Sequence, residues 1–105
     1  MRTFTSETGQ KPVNDWLRSL EPEARAVVIN TIDLLEEHGA GLGMPPARSL
    51  GDGLWELRAR DQSGIYRVIY FHWFRRTFGL LHGFTKKTQQ TPQREIETAR
   101  KRQAT

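Results

Sequence analysis

Residues 54–84 read LWELRARDQSGIYRVIYFHWFRRTFGLLHGF and carry the clearest pattern of strands in the chain. It contains three strand-like runs at 54–60, 65–73 and 78–84, separated by turn sequences at 61–64 and 75–76. The first run alternates, with Trp55 and Leu57 on one side and Glu56 and Arg58 on the other. The middle run is apolar on both sides, which is typical of a central strand covered on two faces. We predict three consecutive antiparallel strands.

The flanking sequence predicts helices on either side of these strands. A first helix begins at Pro12 and a second at Pro22, since proline favours the first helical position, and the second ends at His38-Gly39. Each carries one apolar stripe, made of Val13, Trp16, Leu17 and Leu20 in the first and Ala24, Val27, Val28, Ile32 and Leu35 in the second. Residues 39–46 are a Gly/Pro-rich loop. A third helix is predicted with Thr91 as N-cap and Pro92 as first residue, docked through Ile96 and Ala99. The predicted fold class is α+β: an N-terminal helical hairpin packed on a small antiparallel sheet, with a C-terminal helix.

Length, cysteine content and charge limit the class of protein. The 105 residues allow one domain, which we predict to span 1–105. Cysteine is absent, which excludes disulfides and thiolate metal sites. The N-terminal residues lack the apolar run of a signal peptide, and no stretch reaches membrane-spanning length, so we expect a cytoplasmic protein without a membrane partner.

The charge is distributed unevenly. Residues 1–51 hold five Lys/Arg and seven Asp/Glu, whereas residues 52–105 hold eleven and five. A basic half is compatible with a nucleic-acid partner, because phosphate contacts supply much of the affinity for such ligands. A surface kept basic for solubility is an equally good interpretation of charge alone.

No familiar cofactor or metal motif is present. The glycines at 39–43 follow a helix rather than opening one after a strand, and His38, His72 and His82 lack metal-ligand spacing. We therefore expect neither a cofactor nor a metal ion, so that an enzyme of this sequence would work with its own side chains.

Arg67 is the most informative candidate residue. It shares a strand face with Ile69, Phe71 and Trp73, and a guanidinium among apolar groups needs a compensating partner. That partner is a bound phosphate, a backbone carbonyl or a carboxylate, for which Glu56 on the neighbouring strand is the candidate, and the sequence leaves these open.

Further basic residues converge on the same region. Arg58 lies on the polar face of the first strand, and Lys86 and Lys87 follow the third, so the set could meet Arg67 on one sheet surface. Attack of an RNA 2′-hydroxyl on its own phosphate needs cations that stabilise the developing charge, together with a base and an acid. His82 is the histidine placed to move such protons, although a structural strand histidine is the alternative, as a solvated charge run is for the lysines. We predict Arg58, Arg67, His82, Lys86 and Lys87 as catalytic and Arg60, Arg75 and Arg76 as RNA-binding.

Three motifs together carry a family resemblance. Residues 54–58 (LWELR), 66–70 (YRVIY) and 82–88 (HGFTKKT), followed by Thr91-Pro92 and Glu95-Ile96, resemble the phage-derived HigB-like branch of the RelE/ParE toxin superfamily. The resemblance covers nearly the whole chain. It implies the same α+β fold with a mobile C-terminal helix, and an antitoxin that carries a helix-turn-helix domain.

The resemblance also implies an activity and residue roles. Members of this group cut messenger RNA on the ribosome, and their catalytic strand arginine corresponds to Arg67. Their other basic residues correspond to Arg58 and to Lys86 or Lys87. The sequence departs from the family pattern at Glu56, where a second basic residue is expected, and has no tyrosine after Lys87, which leaves His82 as the nearest substitute for the base.

We therefore expect a ribosome-dependent, metal-independent endoribonuclease that inhibits translation. Two alternatives stay open at this point: a poison of DNA gyrase, and a non-enzymatic module that regulates its operon with a partner.

Overall fold

A computed structural model describes residues 2–39, 46–74, 77–86 and 91–104. Helix α1 spans Pro12–Ser19, α2 spans Pro22–His38 and α3 spans Gln93–Gln103. The strands are β1 (Arg2–Thr3), β2 (Ala47–Gly51), β3 (Leu54–Asp61), β4 (Gly64–Phe74) and β5 (Thr77–Lys86). The described strands form one sheet in the order β1-β5-β4-β3-β2, antiparallel except for the β1–β5 pair. The predicted α+β class is confirmed.

The helical hairpin covers one face of the sheet, here called the hairpin face. Both helices begin at their proline, and Gly39 ends α2 with a φ of 59°, as the sequence predicts. The core of this face combines the apolar stripes of α1 and α2 with alternate residues of the central strands, among them Leu57, Val68, Tyr70 and Leu80. Trp55 and Leu57 both belong to this core, so they lie on the same side of β3, as the alternation predicts.

Helix α3 covers the opposite face, here called the α3 face. Its Ala99 is fully buried against Leu54, Ile69, Leu81 and Phe84, and Ile96 packs against the same cluster. Strand β4 is thus covered on both sides, which explains its apolar character. No helix in the described parts of the chain combines the length and apolar composition needed to cross a membrane.

Three features of the fold differ from the sequence prediction. The sequence does not predict strand β2, because the glycines at its C-terminal end are turn signals. Gly51 and Gly53 adopt φ values of 92° and 82° in the tight β2–β3 connection. Strand β1 is too short to give a pattern. Helix α3 begins at Gln93 with Pro92 as N-cap, because the hydroxyl of Thr91 bonds to Glu56 instead of capping the helix.

A β-bulge in β5 decides which residues face α3. Ile69 pairs with His82 and Tyr70 pairs with Leu80, so Leu81 is the extra residue. Leu80 lies in the hairpin-face core, whereas Leu81 lies under α3 and the His82 ring bonds to α3 side chains. The bulge therefore turns two consecutive side chains toward the α3 face.

Candidate functional site

Strand register brings the charged residues of the sheet into two adjacent rows on the α3 face. One row crosses the sheet through Arg48, Glu56, Ile69 and His82. The next row runs through Arg58, Arg67 and Phe84. Directly paired residues of antiparallel strands project to the same side, so Arg58 and Arg67 are close neighbours. We call Arg48, Glu56, Arg58 and Arg67 the arginine cluster.

Arg67 is fully buried within this cluster. Its Nη1 lies 3.7 Å from Oε2 of Glu56 and donates a 3.4 Å hydrogen bond to Oγ1 of Thr91. Burial lowers the pKa of Arg67, the charge of Glu56 opposes that change, and the nearby charges of Arg58 and Arg48 reinforce it. An arginine nevertheless stays protonated in proteins, so the site holds a buried positive charge. The ion pair with Glu56 that the sequence left open is present.

Arg58 is the accessible member of the row. Its Nε donates to Oε1 of Glu56 at 3.0 Å, and 20% of its side chain is exposed. With the exposed Arg60 it lines an open cleft of about 300 Å³, completed by Pro46, Ala59 and Ile65. An anion that enters this cleft meets Arg58 before it can reach Arg67.

Three residues of the site escaped sequence reasoning as functional groups. Glu56 is fully buried and pairs with both Arg58 and Arg67, whereas the sequence indicates it only as a structural partner of Arg67. Thr91 donates a short hydrogen bond to Glu56 Oε2, and Arg48 lies opposite Glu56 on the unpredicted strand β2. A polar Thr-Pro before a helix and an arginine in a short strand are common, so the sequence offered no specific signal for either.

His82 lies on the α3 face, one row from the Arg58–Arg67 pair, and its ring bonds to α3 side chains. Its Nε2 is 3.0 Å from Oε1 of Glu95, and its Nδ1 is 3.0 Å from Nη1 of Arg102. Arg102 is always a donor, so Nδ1 accepts and the proton lies on Nε2, facing Glu95. Arg102 also donates to the carbonyl of Leu81, and burial lowers its pKa. The ring of His82 stacks on Phe84, the residue that pairs with Arg67.

The remaining predicted residues cannot be placed as side chains. The backbone of Lys86 pairs with Ile65, which puts its position at the end of the sheet near Arg60, but its side chain lies outside the described residues. Arg75, Arg76 and Lys87 lie outside them entirely. The structure thus brings together Arg58 and Arg67, puts Arg60 beside Arg58 in the cleft, and places His82 one row away.

The cluster has the chemistry of an anion site. The guanidinium groups of Arg58 and Arg67 pair with the Glu56 carboxylate, and Arg48 occupies the paired position on β2, so these four side chains carry an excess of positive charge. Guanidinium groups match phosphate oxygens in pairs, which makes a phosphodiester a suitable ligand. Among the described residues there is no group of three or more His, Cys, Asp or Glu that could hold a metal ion.

Comparison with known proteins identifies the family. Residues 15–104 match the family described as phage derived protein Gp49-like (DUF891). A comparison with curated proteins found no match. The match runs from within α1 to the end of α3, so it covers most of the chain and includes the whole arginine cluster. The chain therefore belongs to the Gp49-like family of phage-derived proteins, a toxin-like family, and this membership is consistent with a toxin of a toxin–antitoxin system.

Proposed function

We propose that this protein is the toxin of a type II toxin–antitoxin system and cleaves messenger RNA on the ribosome. The observation that carries the proposal is the direct pairing of Arg58 with Arg67 on adjacent strands beside a single carboxylate. Like charges directly opposite each other destabilise a sheet, and burying a guanidinium adds a desolvation cost. An arrangement that costs stability in this way is typical of a functional site.

The proposed reaction is transfer of the phosphoryl group within the RNA chain. The 2′-hydroxyl gives up its proton to a base while its oxygen attacks the adjacent phosphorus. The bond to the 5′-oxygen breaks, that oxygen takes up a proton to become the 5′-hydroxyl of the downstream fragment, and a 2′,3′-cyclic phosphate remains on the upstream fragment. Arg58 and Arg67 would stabilise the extra negative charge on the phosphoryl oxygens in the transition state. No step needs an oxidant, a reductant or a second substrate.

Two groups compete for the proton of the 2′-hydroxyl. His82 has both ring nitrogens bonded to α3 side chains, whereas the carboxylate of Glu56 lies between the guanidinium groups that would hold the phosphate. A general base has to lie within hydrogen-bonding reach of the proton that it takes. Both oxygens of Glu56 are bonded as well, to Arg58 and to Thr91, so either candidate has to exchange a present partner before it can take the proton, and both stay open.

The partners proposed with this function are an antitoxin and the translating ribosome. The antitoxin, with its helix-turn-helix domain, follows from the resemblance to HigB-like toxins. The ribosome fits the basic residues 52–105, because ribosomal RNA is a dense array of phosphates. The cytoplasm is the compartment in which both occur.

Induced expression without the antitoxin tests the proposal. Amino-acid incorporation should fall before thymidine incorporation, and primer extension on cellular transcripts should show new 5′ ends within coding sequences. Co-expression of the neighbouring gene should remove both effects. A fall in thymidine incorporation first, with an SOS response, would support a gyrase poison instead.

Arg67→Lys tests the residue at the centre of the proposal. A lysine keeps the positive charge beside Glu56 but cannot offer two parallel hydrogen bonds to a phosphate. We expect cleavage by ribosome complexes to fall roughly 10²–10³-fold. Arg18→Lys is the matched control, since Arg18 pairs with Asp15 on the exposed surface of α1. A folded Arg67→Lys protein with full activity would exclude Arg67 from catalysis.

A further inference from the structure

An apolar side chain lies among basic positions at one end of the sheet. Ile65 pairs with Arg60 on β3 and with the backbone of Lys86 on β5, in the row next to that of Arg58 and Arg67. The Ile65 side chain is partly exposed, and that of Arg60 is exposed. An isoleucine adds nothing to the binding of a phosphate, because its side chain has neither a charge nor a hydrogen-bond donor. Its position therefore points to a ligand that has an apolar part as well as a negative charge.

Pro46 supplies a second apolar wall beside the same arginines. Its carbonyl accepts a 2.7 Å hydrogen bond from the backbone N–H of Arg58, which fixes the proline next to β3, just before β2 begins. Pro46, Ala59 and Ile65 line the open cleft of about 300 Å³ together with Arg58 and Arg60. The lining thus combines three apolar residues with two guanidinium groups. A nucleotide has the same division, into a flat base and a charged phosphate, and unstacked bases are held between apolar side chains.

The β3–β4 turn holds this end of the cleft in place. Oδ1 of Asp61 accepts hydrogen bonds from the backbone N–H groups of Ser63 and Gly64 and from the hydroxyl of Tyr66. The turn therefore fixes the last paired residues of the hairpin, which carry one wall of the cleft. A ligand that enters a preformed cleft has a smaller ordering cost to overcome than one that has to assemble its site.

We propose that the cleft is a nucleobase subsite, which takes one base of single-stranded RNA, a purine in preference to a pyrimidine, while Arg58 and Arg60 hold the phosphates on either side of that nucleotide. This inference rests on the proposed RNA-cleaving function and adds its substrate specificity. Arg58 and Arg60 project from the same side of β3 two positions apart, which is about 7 Å along a strand. Consecutive phosphates of an extended RNA strand have a similar spacing.

The apolar walls give the subsite its preference. The two-ring purines bury more apolar surface between Pro46 and Ile65 than the single-ring pyrimidines do, and the free energy of burial grows with that area. Both arginines contact the backbone of the RNA in this arrangement, so they contribute affinity without distinguishing bases. The preference for a purine should therefore depend on the apolar residues and not on the charges.

Binding of a 2′-O-methyl oligouridylate with one central purine tests the subsite, since this RNA lacks the 2′-hydroxyl needed for cleavage. The wild-type protein should bind it roughly three- to tenfold more tightly than the same strand with a central abasic residue. Ile65→Ala should remove most of this difference. Ile29→Ala is the matched control, because Ile29 is an exposed isoleucine on α2, and it should keep the difference. A purine advantage of the same size in Ile65→Ala and Ile29→Ala would overturn the subsite.

Ile65→Tyr tests the same wall by a gain of affinity. A tyrosine suits a strand, and its ring stacks on a base more favourably than an aliphatic side chain does. The variant should bind the purine strand at least roughly threefold more tightly than the wild type and the abasic strand with unchanged affinity. Equal affinities for the purine and abasic strands in both the wild type and Ile65→Tyr would overturn the subsite, whatever the stability of Ile65→Ala.

Mapping of cleaved transcripts separates this inference from the proposed function. After induction of the wild type, a purine should be enriched at one fixed position relative to the new 5′ ends, and Ile65→Ala should weaken that enrichment. Cuts without a base preference, or with one that Ile65→Ala leaves unchanged, would overturn the subsite and leave the proposed function standing. An absence of new 5′ ends would overturn the proposed function, whereas a purine-dependent affinity that Ile65→Ala removes would still support the subsite.

Discussion

At the residue scale, the arginine cluster depends on one carboxylate. Glu56 is completely buried and is the acidic member among Arg48, Arg58 and Arg67. Two buried charges compensate each other only while both are present. Replacing one carboxylate oxygen of Glu56 by the nitrogen of an amide therefore affects both the stability of the protein and any chemistry at Arg67.

Glu56→Gln should lower the free energy of unfolding by about 3–5 kcal/mol, because it leaves the guanidinium of Arg67 buried without a counter-charge. Urea denaturation of the purified variant measures the change. Asp15→Asn is the control, since its ion pair with Arg18 is exposed and should contribute little. A Glu56→Gln protein as stable as the wild type would show that the pair does not hold the sheet together.

A second prediction at this scale concerns alkaline stability. Burial raises the pKa of Tyr70 to about 12, and burial with the hydrogen bond to Asp61 also raises the pKa of Tyr66. The folded state thus retains a proton that the unfolded state loses near pH ~10. The contribution of Tyr70 to the free energy of unfolding is therefore fully present below pH ~10. It is lost as the pH rises toward ~12, and the loss amounts to at most about 3 kcal/mol.

The measurement is urea denaturation at about pH 9 and about pH 11. Tyr70→Phe should lose less stability between the two values than the wild-type protein does, with a residual loss from Tyr66. An identical loss in both proteins would assign the alkaline transition to other groups.

At the element scale, a glycine lets α1 pack closely on β5. A Cβ atom on Gly83 would lie 2.6 Å from Cζ3 and 2.7 Å from Cδ2 of Trp16, the half-buried tryptophan of the α1 stripe. The aromatic ring thus occupies the space of a missing side chain. This contact gives a packing reason for the glycine in the 82–88 motif.

Gly83→Ala should force the Trp16 ring and α1 away from the sheet and cost about 1–3 kcal/mol of stability. Thermal denaturation, with tryptophan fluorescence as the probe, measures the effect. Gly64→Ala is the control, because a Cβ there would meet only Thr85 Cγ2, at 4.0 Å. If both variants melt at the same temperature, α1 does not depend on this close approach.

At the scale of the whole molecule, the basic half of the chain should govern RNA binding. On single-stranded nucleic acid, each phosphate contact contributes about 0.7 to the slope of log affinity against log salt concentration. Arg58→Gln and Arg60→Gln, both in the cleft, should each reduce that slope by about 0.7. Arg18→Gln, on α1, should leave it unchanged, and equal slopes for all three variants would contradict binding through the cleft.

Local sequence patterns were sufficient for most of the secondary structure. Pro12, Pro22 and Gly39 mark helix ends through their own backbone preferences, and the alternation of Trp55, Glu56 and Leu57 marks a strand. Such signals depend on neighbours within a few residues, so they can be read without the fold. The same alternation separates the side of β3 that carries Trp55 and Leu57, which faces the helical hairpin, from the side that carries Arg58.

Contacts between distant segments settle which of the possible charge pairs form, including the Glu56–Arg67 pair that the sequence leaves open. Simple alternation from Phe78 and Leu80 would put His82 on the hairpin face, but the bulge at Leu81 turns it toward α3. Arg48 lies opposite Glu56 only because β2 pairs with β3, and the hydroxyl of Thr91 bonds to Glu56 across 35 positions of sequence. Propensity and periodicity are local, so they predict the three helices, strands β3 to β5 and their apolar stripes, but not β1 or β2. Register, the bulge and the docking of α3 determined the site, because they result from packing between segments that are distant in the chain.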